Sequence, residues 1–338
     1  MKTSRRTFLQ AACALTAGLA GTGLAGESLA KGTVMAAAPS TSAASSPSTV
    51  LFTPQVTAER LVALFEALHH PLKAKVGIKI SFGEPGGHYF LNPALIAPLV
   101  HRLDGTLVEC CTAYKGGRLK AADHWKTIEA HGFRAIAPCD LMDEDGDMAL
   151  PVRNGLRLET NLVGRHLDDY ASLLILSHFK GHSRGGFGGA LKNMSIGIAS
   201  TRGKSHIHTG GATTDYTIMM QHFAEQRVFL ECMADACKAV MDHKGRENIV
   251  YINVANNLSV DCDCDAHPAR PEMADLGIFA STDPIALDQA CYDAVVQARD
   301  PGKASLIERM DSRQATHILE AGERLGLGSR RYTLTRLA

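Results

Sequence analysis

Residues 173–197, LLILSHFKGHSRGGFGGALKNMSIG, run an apolar stretch straight into imidazoles, amines, a guanidinium and a cluster of glycines. Groups of this kind at the end of an apolar strand read as a site, because connecting segments on a rigid scaffold carry chemistry and glycine lets backbone approach a ligand. His178 and His182 are candidates for metal ligation or proton transfer, and Lys180 and Lys192 for holding an anion. Gly185, Gly186, Gly188 and Gly189 read as an anion-cradling turn at a helix N-terminus, with Asn193 in the first turn beyond it. The competing reading is that the glycines only permit tight packing and the histidines are satisfied polar residues. Neither a Walker nor a dinucleotide-binding glycine pattern is present in the context it requires.

A second string, Asp261-Cys262-Asp263-Cys264-Asp265, places two thiols two positions apart among carboxylates. Cys262 and Cys264 suit a soft metal ion or an iron–sulfur cluster, with His182 as a further ligand and Asp261 and Asp263 as ligands or support. A disulfide between them is not expected, because it would close a very small ring. The chain has no CxxCxxC cluster motif and no paired CxxC zinc pattern. Glu84, in GEPGGH over 83–88, is a candidate general base on a tight turn, or else a helix cap. Cys110 and Cys111 are neighbours on a predicted strand, so at most one faces the crevice. His206 and His208 alternate like an exposed strand or loop pair, whereas Cys232, Cys237 and Cys291 sit at core spacings.

Strand and helix signals alternate, which is the pattern of an α/β fold with a mostly parallel sheet and helices on both faces, as a single large domain or two lobes. Strands are predicted over 75–82, 106–111, 133–138, 173–177, 249–254 and 276–280. Helices are predicted over 58–68, 93–103, 123–131, 228–243, from Asp283-Pro284 to about 298, and over 304–310 and 312–325, with another starting within 188–198. Five of these strands run into polar or sulfur-bearing residues at their carboxyl ends. In open parallel sheets that rim binds ligands.

The first residues, Ser4-Arg5-Arg6-Thr7-Phe8-Leu9 before an uncharged apolar run, predict a twin-arginine signal over 1–30, with the translocase as partner and the periplasm as destination. Residues 31–48, rich in Ala, Ser, Thr and Pro, predict a flexible tether, and 49–338 the α/β domain. Apolar residues make up 45% of the chain, which suits a globular core. Lys and Arg total 35 and Asp and Glu total 35, so no net field favours nucleic acid, and no stable membrane span is expected.

GEPGGH over 83–88, SHFKGHSRGGFGGALKNMSIGIAS over 177–200, INVANNLSVDCDCD over 252–265 and DLGIFASTDPIALDQAC over 275–291 together resemble the family called domain of unknown function 362. Its members are often described as iron–sulfur centre proteins, and longer relatives carry a ferredoxin-type cysteine insert that this chain lacks. The resemblance implies that the HFKGH…GGALKN and CDCD strings line one site. The expected function is an exported metal- or iron–sulfur-dependent enzyme, of redox or isomerase type, acting on a small anionic molecule. Alternatives are a non-catalytic iron–sulfur electron-transfer or accessory protein, and a metal-free lyase or transferase using Glu84 and the histidines.

Overall fold

The computed structural model describes residues 46–337; the expected signal and nearly all of the expected tether lie outside them. The elements in chain order are β1 (Ser48–Thr53), α1 (Ala58–Ala67), β2 (Val76–Lys79), α2 (Pro93–Leu103), β3 (Thr106–Glu109), α3 (Ala121–Ala130), β4 (Cys139–Leu141), β5 (Asp147–Pro151), β6 (Thr160–Gly164) and β7 (Ser172–His178). There follow β8 (Lys180–His182), β9 (Gly186–Gly188), α4 (Ala190–Ile198), α5 (Thr201–His208), α6 (Gln226–Lys244), β10 (Ile249–Ala255), β11 (Gly277–Ser281), α7 (Pro284–Gln297), α8 (Lys303–Ser312), α9 (His317–Arg324) and β12 (Tyr332–Arg336).

β7 and β10 are apolar almost throughout because both of their faces are covered. Leu173 and Ile175 enter one core, and Leu174 and Leu176 the other. On β10, Ile249 and Tyr251 likewise oppose Val250 and Ile252. The first core is closed by α4, α6, α7, α8 and α9, the second by α1, α2 and α3. Each fully buried Leu, Ile or Phe in these layers contributes roughly 1.5–3 kcal/mol.

The central sheet has the order β12-β1-β11-β10-β7-β2-β3-β4. β10, β7, β2, β3 and β4 pair in parallel, while β11 runs against both of its neighbours. From β2 the chain steps outward through β3 and β4, then returns to β7 on the other side of β2 and continues to β10. The direction of winding therefore reverses between β2 and β7, and a crevice opens at their carboxyl ends. The expected α/β architecture is the one observed, as a single domain.

The helix boundaries follow their local signals. Asn92 accepts from the Ala94 amide ahead of Pro93, and Asp104, at φ 45°, ends α2. Asp283 accepts from the Ile285 and Ala286 amides ahead of α7. Three expectations are corrected. Residues 133–138 are not a strand: Gly132, at φ 79°, turns the chain into a short 3-10 segment over Phe133–Ala135, and β4 begins only after Pro138. His206 and His208 are not in a strand or loop but on α5, whose N-cap Ser200 accepts from Gly203. Ser48, assigned to the tether, already belongs to β1. Among the described residues no helix is long and apolar enough to cross a membrane.

Candidate functional site

The crevice is fixed by one amide. Asn193, in α4, donates from Nδ2 to the Lys79 carbonyl at 3.0 Å, the Leu176 carbonyl at 3.2 Å and Ser177 Oγ at 3.1 Å, and its Oδ1 accepts from Lys79 Nζ at 2.9 Å. It thereby ties β2 to β7 where the winding reverses. Expected as a ligand-binding residue, it is instead a positioning residue with its hydrogen-bonding capacity spent on protein.

The glycine turn also differs from expectation. The first amides of α4, Ala190 and Leu191, donate to the Asp288 carboxylate at 2.8 and 2.9 Å, so a residue of α7 already occupies the helix N-terminus where an anionic ligand was expected. Asn253 Nδ2 donates to the same carboxylate at 2.7 Å, and burial pushes the Asp288 pKa up to about 6. A Cβ on Gly189 would lie 2.4 Å from Asp288 Oδ1, and one on Gly186, at φ 80°, would lie 2.5 Å from the Ala315 methyl. Gly185 donates its amide to His182 Nδ1 at 2.8 Å. These glycines serve close packing, although Gly188 and Gly189 do border a small cleft beside Lys192.

Below the crevice lies a buried charge network. Arg118 bridges Glu84 (Nε–Oε2 2.9 Å) and Glu109 (Nη1–Oε2 3.1 Å), Lys79 stands 3.8 Å from Glu109, and His124 Nε2 is 3.3 Å from it. The Arg118 and Lys79 charges hold the Glu109 carboxyl well below the usual range against its burial, and burial lowers Lys79 to about 8. Glu84 also accepts from the Gly117 amide and lies 3.2 Å from the Tyr114 hydroxyl. Its carboxylate is thus committed to Arg118 and the turn beside it, which removes it as the general base and leaves a positioning role.

His178, Lys180 and Asp263 form a second closed group. His178 Nδ1 is 2.9 Å from Asp263 Oδ1 and its Nε2 is 2.6 Å from the Asn256 carbonyl; Lys180 Nζ donates to Asp263 Oδ2 at 2.8 Å. Both His178 nitrogens are engaged, so it is free neither to ligate nor to shuttle a proton. Lys180 and His178 hold the Asp263 carboxyl well below the usual range, and burial lowers Lys180. Asp263 therefore serves the loop rather than a metal. Asp261 points elsewhere, pairing with Arg309 at 3.1 Å and accepting from the Ala269 amide at 3.0 Å.

Three of the expected metal ligands do meet. The ligand atoms of His182, Cys262 and Cys264 lie within 4.8 Å of one another. Contrary to expectation, the two cysteines are joined as a disulfide. Two sulfurs and one imidazole fit a single soft ion in kind and spacing once that bond is reduced, and so could hold a metal. They fall short of the four thiolates of a typical iron–sulfur cluster. Cys110, also at the cavity, has its thiol pushed well up by burial and spends it on the Ile198 carbonyl at 3.3 Å, while Cys111 faces the second core. His267 is exposed and outside this group.

His182 Nδ1 accepts from the Arg184 amide at 3.2 Å as well as from Gly185, which leaves the proton of the neutral ring on Nε2. Burial, with Lys192 and His208 nearby, holds its pKa well below the usual value. It lines a cavity of about 170 Å³ together with Lys192, Arg118, Lys204 and Met219. The cavity shares Ser81, Lys192 and Cys264 with the adjoining cleft of about 30 Å³.

The Lys192 amine makes no hydrogen bond or ion pair among the described residues. Burial, reinforced by the charges of Lys180 and Lys79, pushes its pKa down to about 7. Lys204 reaches only the Ala199 carbonyl. Of the amines around the crevice, among the described residues, Lys79 and Lys180 are ion-paired and Lys192 and Lys204 are not; with Arg118 and Arg184 against Glu109 in the same lining, the cavity carries a positive excess suited to an anion.

The sequence singles out none of Lys79, Arg118 and Lys204, and places Glu109 only among the polar residues at strand ends. A signal existed for two of them: a lysine within VGIKI and a glutamate within TLVEC stand in otherwise apolar strands, and buried charges in adjacent strands must pair.

Among solved structures the chain is similar to the lactate racemase apoprotein from Thermoanaerobacterium thermosaccharolyticum, with 12% identity, 73% of this chain covered and a TM-score of 0.42. It is also similar to a protein from Thermotoga maritima, with 15% identity, 70% of this chain covered and a TM-score of 0.36. The chain spans 57% of the length of each of these. Comparison with the curated proteins finds no match. Residues 76–293, from β2 into α7 and including every residue of the crevice, match the family described as Domain of unknown function (DUF362), and the chain belongs to that family.

Proposed function

We propose that the chain is an enzyme acting on a small organic anion, with Lys192 exchanging a proton with the bound molecule and the His182, Cys262 and Cys264 group holding a soft metal ion when the cysteines are reduced. The reading is carried by Lys192: an amine without a partner, at the wall shared by two cavities, with its pKa lowered to about 7. Such a group is near its optimum for general acid–base work at neutral pH. With the cysteines joined and no ion held, His182 presents its Nε2 proton to the same space and donates to an anionic group there; ligation of an ion would use that nitrogen instead and displace the proton. Arg118, locked between Glu84 and Glu109, fixes that part of the cavity wall. A soft ion in the cysteine and histidine group would supply Lewis-acid polarisation of the bound anion.

The joined cysteines favour a second reading, a metal-free lyase or transferase that uses Lys192 and His182 alone. Elemental analysis separates the two. Protein prepared without oxygen and reduced is expected to carry about one equivalent of zinc, nickel or iron, and a Cys262→Ser/Cys264→Ser variant none; a metal-free reduced wild type supports the second reading. Loss of anion binding is the expected consequence of Lys192→Met in either case, and undiminished binding refutes both. We further place the protein in the periplasm after twin-arginine export, on the strength of Arg5 and Arg6 ahead of the apolar run. Retention of an Arg5→Lys/Arg6→Lys variant in the cytoplasm is the expected outcome, and unchanged fractionation counts against this.

A further inference from the structure

The proposed anion site has an apolar side that a small polar molecule would leave wet. Ser81, Lys192 and Cys264 form the wall common to the cavity and the polar cleft, whereas Met219, Met220 and Phe223 border the cavity alone. These three lie on the connection between α5 and α6. Phe223 is held there by the Arg184 guanidinium, 4.4 Å from its ring centre, and by the His208 ring at 5.8 Å. Met219 is 5% exposed, but Met220 is 74% exposed, the largest exposure of any large apolar side chain among the described residues. Ile196, one turn along α4 from Lys192, adds to the apolar lining.

An exposed methionine beside an enclosed one, at a cavity whose wall shared with the polar cleft carries an unpartnered amine, is the arrangement of a mouth for a molecule with two different ends. Methionine is suited to such a surface because its unbranched, polarisable side chain adapts to varied apolar shapes. Deepening the reading of the site as an anion site, and resting on it, we infer that its substrate is an amphiphilic organic anion, with the charged head at Lys192 and His182 and an apolar body against Met219, Met220 and Phe223. A cavity of about 170 Å³ limits that body to a short chain or a single ring.

Isothermal titration of the full chain with straight-chain carboxylates from acetate to octanoate, and with alkyl phosphates of matching length, tests this and distinguishes the head group. For one of the two series Kd is expected to fall about fourfold per added methylene until the cavity is filled. The slope is expected to flatten in Met219→Gln/Met220→Gln, and also in Met220→Gln alone, which changes only an exposed side chain and so keeps the test valid if the double variant is poorly folded. Lys192→Met is expected to weaken every member of the series about tenfold or more. A flat dependence on chain length with Lys192 dependence intact overturns the amphiphile and leaves the anion site standing. Binding that ignores Lys192, or no binding by either series, overturns both.

Discussion

Replacing Lys192 by Met should stabilise the folded chain while disabling its site. The fall of the Lys192 pKa from the usual 10.5 to about 7 corresponds to about 5 kcal/mol, at about 1.4 kcal/mol per pH unit. Below pH 7 the amine is charged in both folded and unfolded chains, and the whole cost of withdrawing the ammonium from water weighs on the folded state. Between pH 7 and 10.5 the folded protein releases the proton before the unfolded chain does, so wild-type stability climbs with pH and the burden fades. The side chain still meets water in the cavity, so we take about 2–3 kcal/mol as the gain for Lys192→Met at pH 6. Urea denaturation of both proteins at pH 6, 7, 8, 9 and 10 measures it. The gap should be widest at pH 6 and shrink steadily towards pH 10. A variant no more stable than wild type at pH 6, or a gap independent of pH, would show that the amine is either paired or freely hydrated, and the case for a cation held open for a ligand would fail.

Arg118→Met leaves Glu84 and Glu109 buried without their shared partner and should cost about 3–5 kcal/mol by urea denaturation, more than either single Glu→Gln change. Asp288→Ala exposes the first amides of α4 and the Asn253 amide to an apolar core; a loss of about 2–4 kcal/mol is expected, together with weaker anion binding because α4 carries Lys192. At the periphery, Asp140 and Asp145 flank His166 at 2.8 and 3.0 Å and, against the effect of burial, raise its pKa above 6.5. The stability from this contact is present below pH 6.5 and lost as pH rises through the folded pKa, so His166→Gln should destabilise by up to about 1 kcal/mol at pH 5.5 and by little at pH 8.5. Equal losses at the two pH values would exclude a charge effect.

The legible parts of this molecule were those set by local rules. α2 and α7 announce themselves through a capping Asn or Asp followed by proline, and β7 and β10 through unbroken apolar runs that only a strand covered on both faces tolerates. The meeting of His182 with Cys262 and Cys264 was legible as well, since strands of a parallel sheet deliver their carboxyl ends to one rim. What could not be read was which groups the protein keeps for itself. His178, Glu84, Asp263 and Asn193 have the composition of a site, yet each is consumed by a neighbour distant in sequence: Asn256, Arg118, Lys180 and the β2 backbone. Asp288 shows the same limit, for nothing in its helix foretells that it caps another one. A separation of two residues argues against the Cys262–Cys264 disulfide on ring size alone, and only the folded loop shows the sulfurs together. Residues 133–138 have an apolar composition that suits a strand, but Gly132, at φ 79°, turns the chain into a 3-10 segment, and the bonding to β3 begins only at the Pro138 carbonyl.

The way Asn193 grips both β2 and β7 has a consequence for how ligands arrive. One carboxamide joins the two halves of the sheet at their seam, so spreading the floor to admit a guest would cost the hydrogen bonds that Asn193 makes to Lys79, Leu176 and Ser177. The stretch between α5 and α6, with Met220 74% exposed, borders the cavity without such a clamp. On the proposed reading selectivity would be divided, with the clamped floor meeting the head of the ligand and the stretch between α5 and α6 meeting its body.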